Sequence, residues 1–137
     1  MGKRFLGIKG RHFVGKTHTL LRFIERNSGV KLGKKSTLAI CSRNGKTIFV
    51  RTSSPNERDR ENAITLLNRD LEFFEKIVKN CQLQSFVVLM ALTQFKKDTT
   101  PQTIQEVRDK GYEYAEIIKE SRDDDILEEL ENHPFFR

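Results

Sequence analysis

The stretch that decides the fold is Gly10-Arg11-His12-Phe13-Val14-Gly15-Lys16-Thr17, which fits the pattern G-x-x-x-x-G-K-[ST] at every position. In such a loop, glycines let backbone N–H groups converge on phosphate oxygens, and the helix that follows points its partially positive end at the same place. We expect Lys16 to reach the outer phosphates of a bound polyphosphate and the Thr17 hydroxyl to bind a magnesium ion. The competing interpretation is a glycine turn with an incidental lysine.

The histidines that flank this loop are further candidates for phosphate contact. His12 lies inside the pattern and His18 follows it directly, although a solvated or capping role would suit either one. The predicted nucleotide-binding residues are Gly10, Arg11, His12, Phe13, Val14, Gly15, Lys16, Thr17 and His18.

The neighbouring residues supply the structural context that a phosphate-binding loop needs. Phe5, Leu6 and Ile8 predict a short strand that runs into Gly10, and residues 17–25 have the apolar spacing of a helix. Asn27-Ser28-Gly29 is typical of a helix end, with Gly29 as a left-handed cap.

Over residues 3–24 the chain resembles the P-loop nucleoside triphosphatase superfamily. The resemblance implies a mainly parallel sheet and binding of ATP or GTP together with Mg²⁺. Topology beyond these residues is compatible with the superfamily but does not define an activity.

The middle of the chain predicts a hairpin, a long helix and a buried strand. Residues 37–41 and 47–51 are rich in β-formers and are joined through Asn44-Gly45, which favours a tight turn. Apolar residues with steps of three and four predict a helix from Asp59 to Asn80. Residues 85–92 are almost continuously apolar, as in a strand buried on both faces of a sheet.

The last third predicts a helix from Thr100, a strand over residues 112–118, an acidic helix over residues 123–132 and a tail, 133–136, that tucks back. Strands that alternate with helices predict an α/β fold, a three-layer sandwich whose mainly parallel sheet includes one antiparallel hairpin. The length of 137 residues is that of one domain, 1–137.

A catalytic acid is harder to find. The superfamily normally places one at the end of a second hydrophobic strand, but residues 47–54 end in Arg51 and hydroxyls, and residues 86–94 end in Thr93 and Gln94. Glu57 and Asp59 follow the first of these strands and are the candidates for an acidic catalytic group beside the magnesium.

Other roles are open for the residues around Glu57 and Asp59. Acidic residues in a first helical turn also interact favourably with the helix dipole, so helix initiation is an alternative. Arg58 and Arg60 are possible charge stabilisers, and Ser53-Ser54 could supply a water-mediated metal contact.

The hairpin after the first helix looks like the arrangement in small GTPases. Those proteins read guanine with an Asn or Thr followed by Lys, any residue and Asp, and Phe95-Lys96-Lys97-Asp98 matches that motif only in part. The base preference, ATP or GTP, is therefore left open.

Charge is distributed unevenly along the chain. The net charge of +6 combines a first half, residues 1–60, with 15 basic and 3 acidic residues and a second half with 10 and 16. A basic half suits a polyphosphate and could also attract nucleic acid, with Lys31, Lys34 and Lys35 as candidate contacts.

The sequence has no run of about 20 apolar residues, and we expect no membrane insertion. There is no secretory signal pattern, and Cys41 and Cys81 are expected to be buried, reduced thiols of a cytoplasmic protein. The leading functional prediction is an NTPase or phosphotransferase. The alternatives are a nucleotide-binding regulatory or interaction module with little or no hydrolysis, a small GTPase-like protein, and nucleic-acid binding by the basic first half. In a chain this short, a protein partner or a homo-oligomer is a candidate to complete the site.

Overall fold

Strands and helices alternate along the chain in the computed structural model, which describes residues 2–12, 14–28, 38–59, 61–95 and 99–137. The elements are β1 (Gly2–Arg11), α1 (Lys16–Ser28), β2 (Leu38–Arg43), β3 (Lys46–Arg51), α2 (Pro55–Arg58), α3 (Ala63–Asn80), β4 (Ser85–Gln94), α4 (Thr100–Asp109), β5 (Glu113–Ile118), α5 (Leu127–Glu131) and a final 3₁₀ turn, Pro134–Phe136.

The strands form one five-stranded sheet in the order β2-β3-β4-β1-β5. β1 lies parallel between β4 and β5, and β3 is parallel to β4. Among the strands of the described residues only β2 runs antiparallel, in a hairpin with β3 that turns at Asn44 and Gly45, both with positive φ. The predicted α/β fold with a mostly parallel sheet and one antiparallel pair is confirmed.

β4 is the middle strand of this sheet, as its continuous apolar sequence predicts, and residues 86–93 are all buried. Its side chains alternate between two clusters of buried residues. Val87, Leu89 and Ala91 belong to the cluster that contains the apolar residues of α1. Phe86, Val88, Met90 and Leu92 belong to the cluster that contains the apolar stripe of α3.

The C-terminal tail tucks back, as predicted, and it packs against α1. Phe135 and Phe136 are buried, and the ring of Phe136 lies 5.4 Å from that of Phe23 in α1. The Asn44 side chain donates a hydrogen bond to the Phe136 carbonyl at 2.8 Å, so the tail is also tied to the β2–β3 turn.

Two predicted helices begin later than expected. The helix predicted from Asp59 begins only at Ala63, as α3, because Asp59 is extended and its carboxylate accepts hydrogen bonds from the amides of Glu61 and Asn62. The acidic helix predicted over residues 123–132 is helical only over Leu127–Glu131, because the Asp125 carboxylate caps the Leu127 amide at 3.1 Å.

The two cysteines differ in exposure. Both thiols are free, but only Cys41 is buried, whereas Cys81 is exposed at the end of α3, where the prediction of a buried residue was wrong. None of the helices in the described part of the chain has the length and apolar character needed to cross a membrane. The predicted cap at Gly29, the basic residues Lys31, Lys34 and Lys35, and residues 96–98 lie outside the described residues.

Candidate functional site

The loop between β1 and α1 has the geometry that its two glycines dictate. Gly15 has φ of +88°, a left-handed conformation that residues with a Cβ adopt only at a cost. A Cβ on Gly10 would lie less than 3.0 Å from the Lys119 carbonyl oxygen and 2.9 Å from Cγ2 of Val14. Both glycines are therefore required sterically. Phe13 lies outside the described residues.

Lys16 is the first residue of α1 and only 4% exposed. Its Nζ donates a hydrogen bond of 2.6 Å to the Arg11 carbonyl at the end of β1. Burial lowers the pKa of Lys16, with a nearby Glu57 charge opposing this shift and Lys119 adding to it. The loop thus holds a poorly solvated cation at its centre.

Thr17 connects the start of α1 to the segment that follows β3. Its hydroxyl donates a hydrogen bond of 2.9 Å to the carbonyl of Thr52, the residue directly after β3. Thr17 also lines the cleft beside Lys16.

Glu57, in α2, is the acid that the fold brings to the loop. The Thr93 hydroxyl at the end of β4 donates to Oε1 of Glu57, and Oε2 lies 3.6 Å from Nδ1 of His12. Thr93 is fully buried, and its carbonyl accepts hydrogen bonds from the side chains of Asn56 at 2.7 Å and Thr100 at 3.0 Å. Thr93 therefore holds α2, and with it Glu57, against the end of the sheet.

These side chains surround a cleft of about 390 Å³ at the start of α1. It is lined by His12, Gly15, Lys16, Thr17, His18, Leu21, Glu57 and Arg122. Six of the predicted site residues are thus brought together. A cleft of about 520 Å³ between the end of α3 and the start of β4 contains none of them.

The remaining predicted residues of the loop have backbone or packing roles. Gly10 and Arg11 form the last two positions of β1, paired with Thr93 and Gln94 of β4. Val14 is 7% exposed and packs beside Gly10.

Asp59 does not join the cleft. Besides the two amides that it caps, its carboxylate accepts a hydrogen bond from the Asn62 side chain at 2.8 Å. The Asn62 side chain is also the main reason why the pKa of Asp59 is lowered. The structure therefore favours the alternative role of Asp59 in helix initiation.

Arg58 was a candidate charge stabiliser for the site, but its guanidinium pairs with an acidic side chain of α3. Its guanidinium lies 2.7 Å from Asp70 of α3, which also pairs with Arg51 at 3.3 Å. Arg58 is thus part of an ion-pair network between α2, α3 and β3. Arg60 lies outside the described residues.

A second cleft of about 440 Å³ adjoins the first and was not anticipated from the sequence. It is lined by Gly15, His18, Thr19, Arg22, Lys119, Arg122 and Asp125, so the two clefts share Gly15, His18 and Arg122. The sequence marks Lys119 only as a polar residue at the end of a strand. That position did not distinguish Lys119 from other surface lysines.

Lys119 is a buried lysine, 3% exposed, that connects the loop to the segment after β5. Its backbone N–H donates to the Lys9 carbonyl at 2.9 Å. Its Nζ donates to the carbonyl oxygens of Ser121, at 2.9 Å, and of Asp124. Residues 119–125 are consequently fixed beside Gly10 and Gly15.

Comparison with known proteins leaves the site to be interpreted from its geometry. The chain matches no protein-family model, and no curated protein sequence or solved structure is significantly similar to it.

Proposed function

We propose that this chain binds a nucleoside triphosphate with Mg²⁺ and hydrolyses its terminal phosphate. The observation that carries the proposal is Lys16, a buried cation whose hydrogen-bond partner is a neutral carbonyl. The ion pairs found among the described residues do not include Lys16. Burial of this charge is costly, the nearby Glu57 charge opposes only part of the effect of burial, and an anion bound at this loop would offset more of the cost.

The architecture proposed with this function is the three-layer sandwich of P-loop proteins. Two facts support it. The buried side chains of the sheet divide between a cluster with α1 and a cluster with α3, and the glycine loop joins the carboxyl end of β1 to the start of α1. Ligands of open α/β sheets bind outside the carboxyl ends of the strands.

Phosphate binding would use the backbone and Lys16 together. The start of a 13-residue helix presents amides that have no partner within the helix and a positive dipole end, which favour an anion. Lys16 Nζ would leave the Arg11 carbonyl and bind the outer phosphates, which provide a charged partner instead of a neutral one.

The residues present fit a magnesium ion. Mg²⁺ prefers oxygen ligands and is usually bound by one or two carboxylates or hydroxyls together with substrate phosphates and waters. Within the described residues no three His, Cys, Asp or Glu side chains converge as a metal site, so the phosphates would have to supply ligands. Thr17 lines the cleft, and its hydroxyl would hold the ion, which would neutralise charge on the phosphates.

Glu57 is the group we assign to proton transfer. The Thr93 hydroxyl orients its Oε1, and Oε2, which lies 3.6 Å from Nδ1 of His12, would accept a proton from the attacking water. The water oxygen forms a bond to the terminal phosphorus, and the bond from that phosphorus to the diphosphate oxygen breaks. Lys16 stabilises the negative charge that develops on the phosphate oxygens.

The alternative is a nucleotide-binding regulatory module with little or no hydrolysis. One observation favours it, because Glu57 lies in a short helix beyond the end of β3 and one of its oxygens is already engaged by Thr93. Transfer of the phosphate to another acceptor would use the same groups as hydrolysis.

Binding is tested by thermal stabilisation with ATP, GTP and their diphosphates, with and without Mg²⁺, since a ligand of the native state raises its melting temperature. A triphosphate at 100 times its Kd should stabilise the protein by about 2.7 kcal/mol. Lys16→Met should abolish that shift, whereas Lys79→Met, at the exposed end of α3, should keep it. Equal shifts for both variants would refute phosphate binding by this loop.

Hydrolysis is tested by phosphate release. Glu57→Gln keeps the shape of the side chain but not its basicity, and should lower turnover by about 100-fold or more while nucleotide affinity stays within about threefold. Thr93→Val should lower turnover by a smaller factor. Negligible turnover of the wild-type protein, with intact binding, would establish the regulatory alternative.

A further inference from the structure

The helix that carries Glu57 is held by side chains on two sides. α2 has only four residues, too few for a helix to be stable without contacts to the rest of the protein. On one side, the Thr93 hydroxyl binds Glu57 and the Thr93 carbonyl accepts the Asn56 side chain. On the other side, Arg58, the neighbour of Glu57 in the chain, pairs with Asp70 of α3. These two attachments determine where the Glu57 carboxylate lies.

Asp70 is a rigid anchor for the second attachment. It belongs to a helix of 18 residues, and the side chains of Leu67 and Leu71 beside it are fully buried. Its Oδ2 lies 2.7 Å from Nη2 of Arg58 and 3.3 Å from Nε of Arg51, the last residue of β3. One carboxylate therefore ties α2 both to α3 and to the strand that precedes α2.

The charge of Asp70 keeps Arg58 in this position. Two guanidinium groups share the carboxylate, and the side chains of Arg51 and Arg58 are only 17% and 21% exposed. Burial lowers the pKa of Arg51, the Asp70 charge opposes that effect and the Arg58 charge adds to it, because the two arginines repel each other. Without the Asp70 charge, repulsion and hydration both favour a turn of Arg58 toward solvent.

Movement of α2 would disturb the reaction more than nucleotide binding. In the proposed function, on which this inference rests, phosphate is bound by the glycine loop and by Lys16 and Thr17 of α1, whereas Glu57 takes the proton. A displacement of about 1 Å at a reacting group can cost about 100-fold in rate. Loss of the contact to α3 alone should cost less, because Thr93 still holds Glu57 from the other side.

We propose that Asp70 is a positioning residue for proton transfer, which acts through Arg58 to hold the Glu57 carboxylate at the attacking water. Asp70 does not line the cleft at the start of α1. Loss of its charge should therefore lower kcat about tenfold while nucleotide affinity stays within about threefold.

The test measures phosphate release and nucleotide affinity for three single variants, well below their melting temperatures. Asp70→Asn and Arg58→Gln both remove the attachment of α2 to α3, and each should lower kcat about tenfold. Arg51→Gln is the matched control. It removes an arginine from the same carboxylate but leaves the contact of Arg58, so kcat should change by less than about twofold.

Two double variants show whether the effect runs through Arg58 and Glu57. Asp70→Asn combined with Arg58→Gln should be no slower than the slower single variant, because both changes remove one contact. In the Glu57→Gln background, Asp70→Asn should leave the residual turnover unchanged, because no carboxylate is left to position. A merely structural role of Asp70 would lower turnover by the same factor in both backgrounds.

Thermal unfolding without nucleotide shows whether each variant folds. If Asp70→Asn does not fold, Arg58→Gln provides the test, because Arg51 still pairs with Asp70 in that variant.

The outcomes separate the role of Asp70 from the proposed function. If Glu57→Gln slows phosphate release but Arg58→Gln does not, or if Arg51→Gln slows it as much as Arg58→Gln, the positioning role is refuted while the proposed function stands. A fall in nucleotide affinity that matches the fall in kcat would also refute it. If the wild-type protein releases no phosphate, or if Glu57→Gln does not slow release, the proposed hydrolysis through Glu57 fails, and the positioning role fails with it.

Discussion

Replacing Gly10 by alanine tests how closely Gly10 packs against the Lys119 carbonyl. The new Cβ would lie less than 3.0 Å from the Lys119 carbonyl oxygen, where ordinary van der Waals contacts measure 3.4–4 Å. That oxygen cannot move aside freely, since the Lys119 amide is hydrogen-bonded to the Lys9 carbonyl at 2.9 Å. The methyl group must therefore displace the end of β5 or of β1. Overpacking of this kind costs about 2–3 kcal/mol.

The measurement is urea-induced unfolding of Gly10→Ala followed by far-ultraviolet circular dichroism. A loss of about 2–3 kcal/mol with an m value of about 2 kcal/mol/M lowers the midpoint by more than about 1 M urea. The control is Gly45→Ala in the β2–β3 turn, where φ is +76° but no atom lies within 4 Å. Gly45→Ala should lower the free energy of unfolding by about 1 kcal/mol, because alanine is unfavourable in the left-handed backbone conformation. If Gly10→Ala destabilises no more than Gly45→Ala, the close packing of the loop on Lys119 is wrong.

Three further changes probe the rest of the fold. Phe136→Ala should lower the free energy of unfolding, measured by chemical unfolding, by about 3–4 kcal/mol, because the ring is fully buried. A loss below about 1 kcal/mol would contradict the packing of the tail against α1. Asp70→Asn should cost about 3 kcal/mol, since it leaves the guanidinium groups of Arg51 and Arg58 without their shared carboxylate; a nearly neutral effect would contradict that network. Burial raises the pKa of the Cys41 thiol to about 12 from the 9.0 of a free thiol. The thiol's contribution to stability is complete below pH 9 and declines as the pH rises toward 12, because the unfolded chain ionises its thiol first. The difference in free energy of unfolding between wild type and Cys41→Ala should therefore shrink by about 1–2 kcal/mol between pH 8 and pH 10.5. A constant difference would contradict burial of the thiol.

The parts of the fold predicted well are those whose cause is local. The glycine loop needs particular residues at particular backbone positions, and Gly15 has the positive φ that its place in the pattern requires. The central position of β4 follows from an apolar run that leaves no polar face for solvent. The hairpin follows from Asn44-Gly45, which adopt the left-handed conformations that a tight primed turn needs.

The features that the sequence did not predict depend on contacts between residues that are far apart in the chain. Thr93 and Glu57 are 36 positions apart, and nothing in their local sequence indicates that the hydroxyl orients the carboxylate. Lys119 is buried only because its ammonium finds carbonyl partners in the next turn. The start of α3 was misplaced because Asp59, read as part of one continuous amphipathic pattern, caps the following turn instead.

The packing of Gly10 against Lys119 has a consequence for local opening of the protein. The Lys119 carbonyl contacts the end of β1, its amide pairs with β1, and its ammonium holds the turn at residues 121–124. Lys119 is thus the residue that both β1 and the turn at residues 121–124 contact. We therefore expect residues 9–12, 14–16 and 119–125 to open as a single cooperative unit, whose backbone amides exchange with deuterium at a common rate and slow down together when the loop binds an anion.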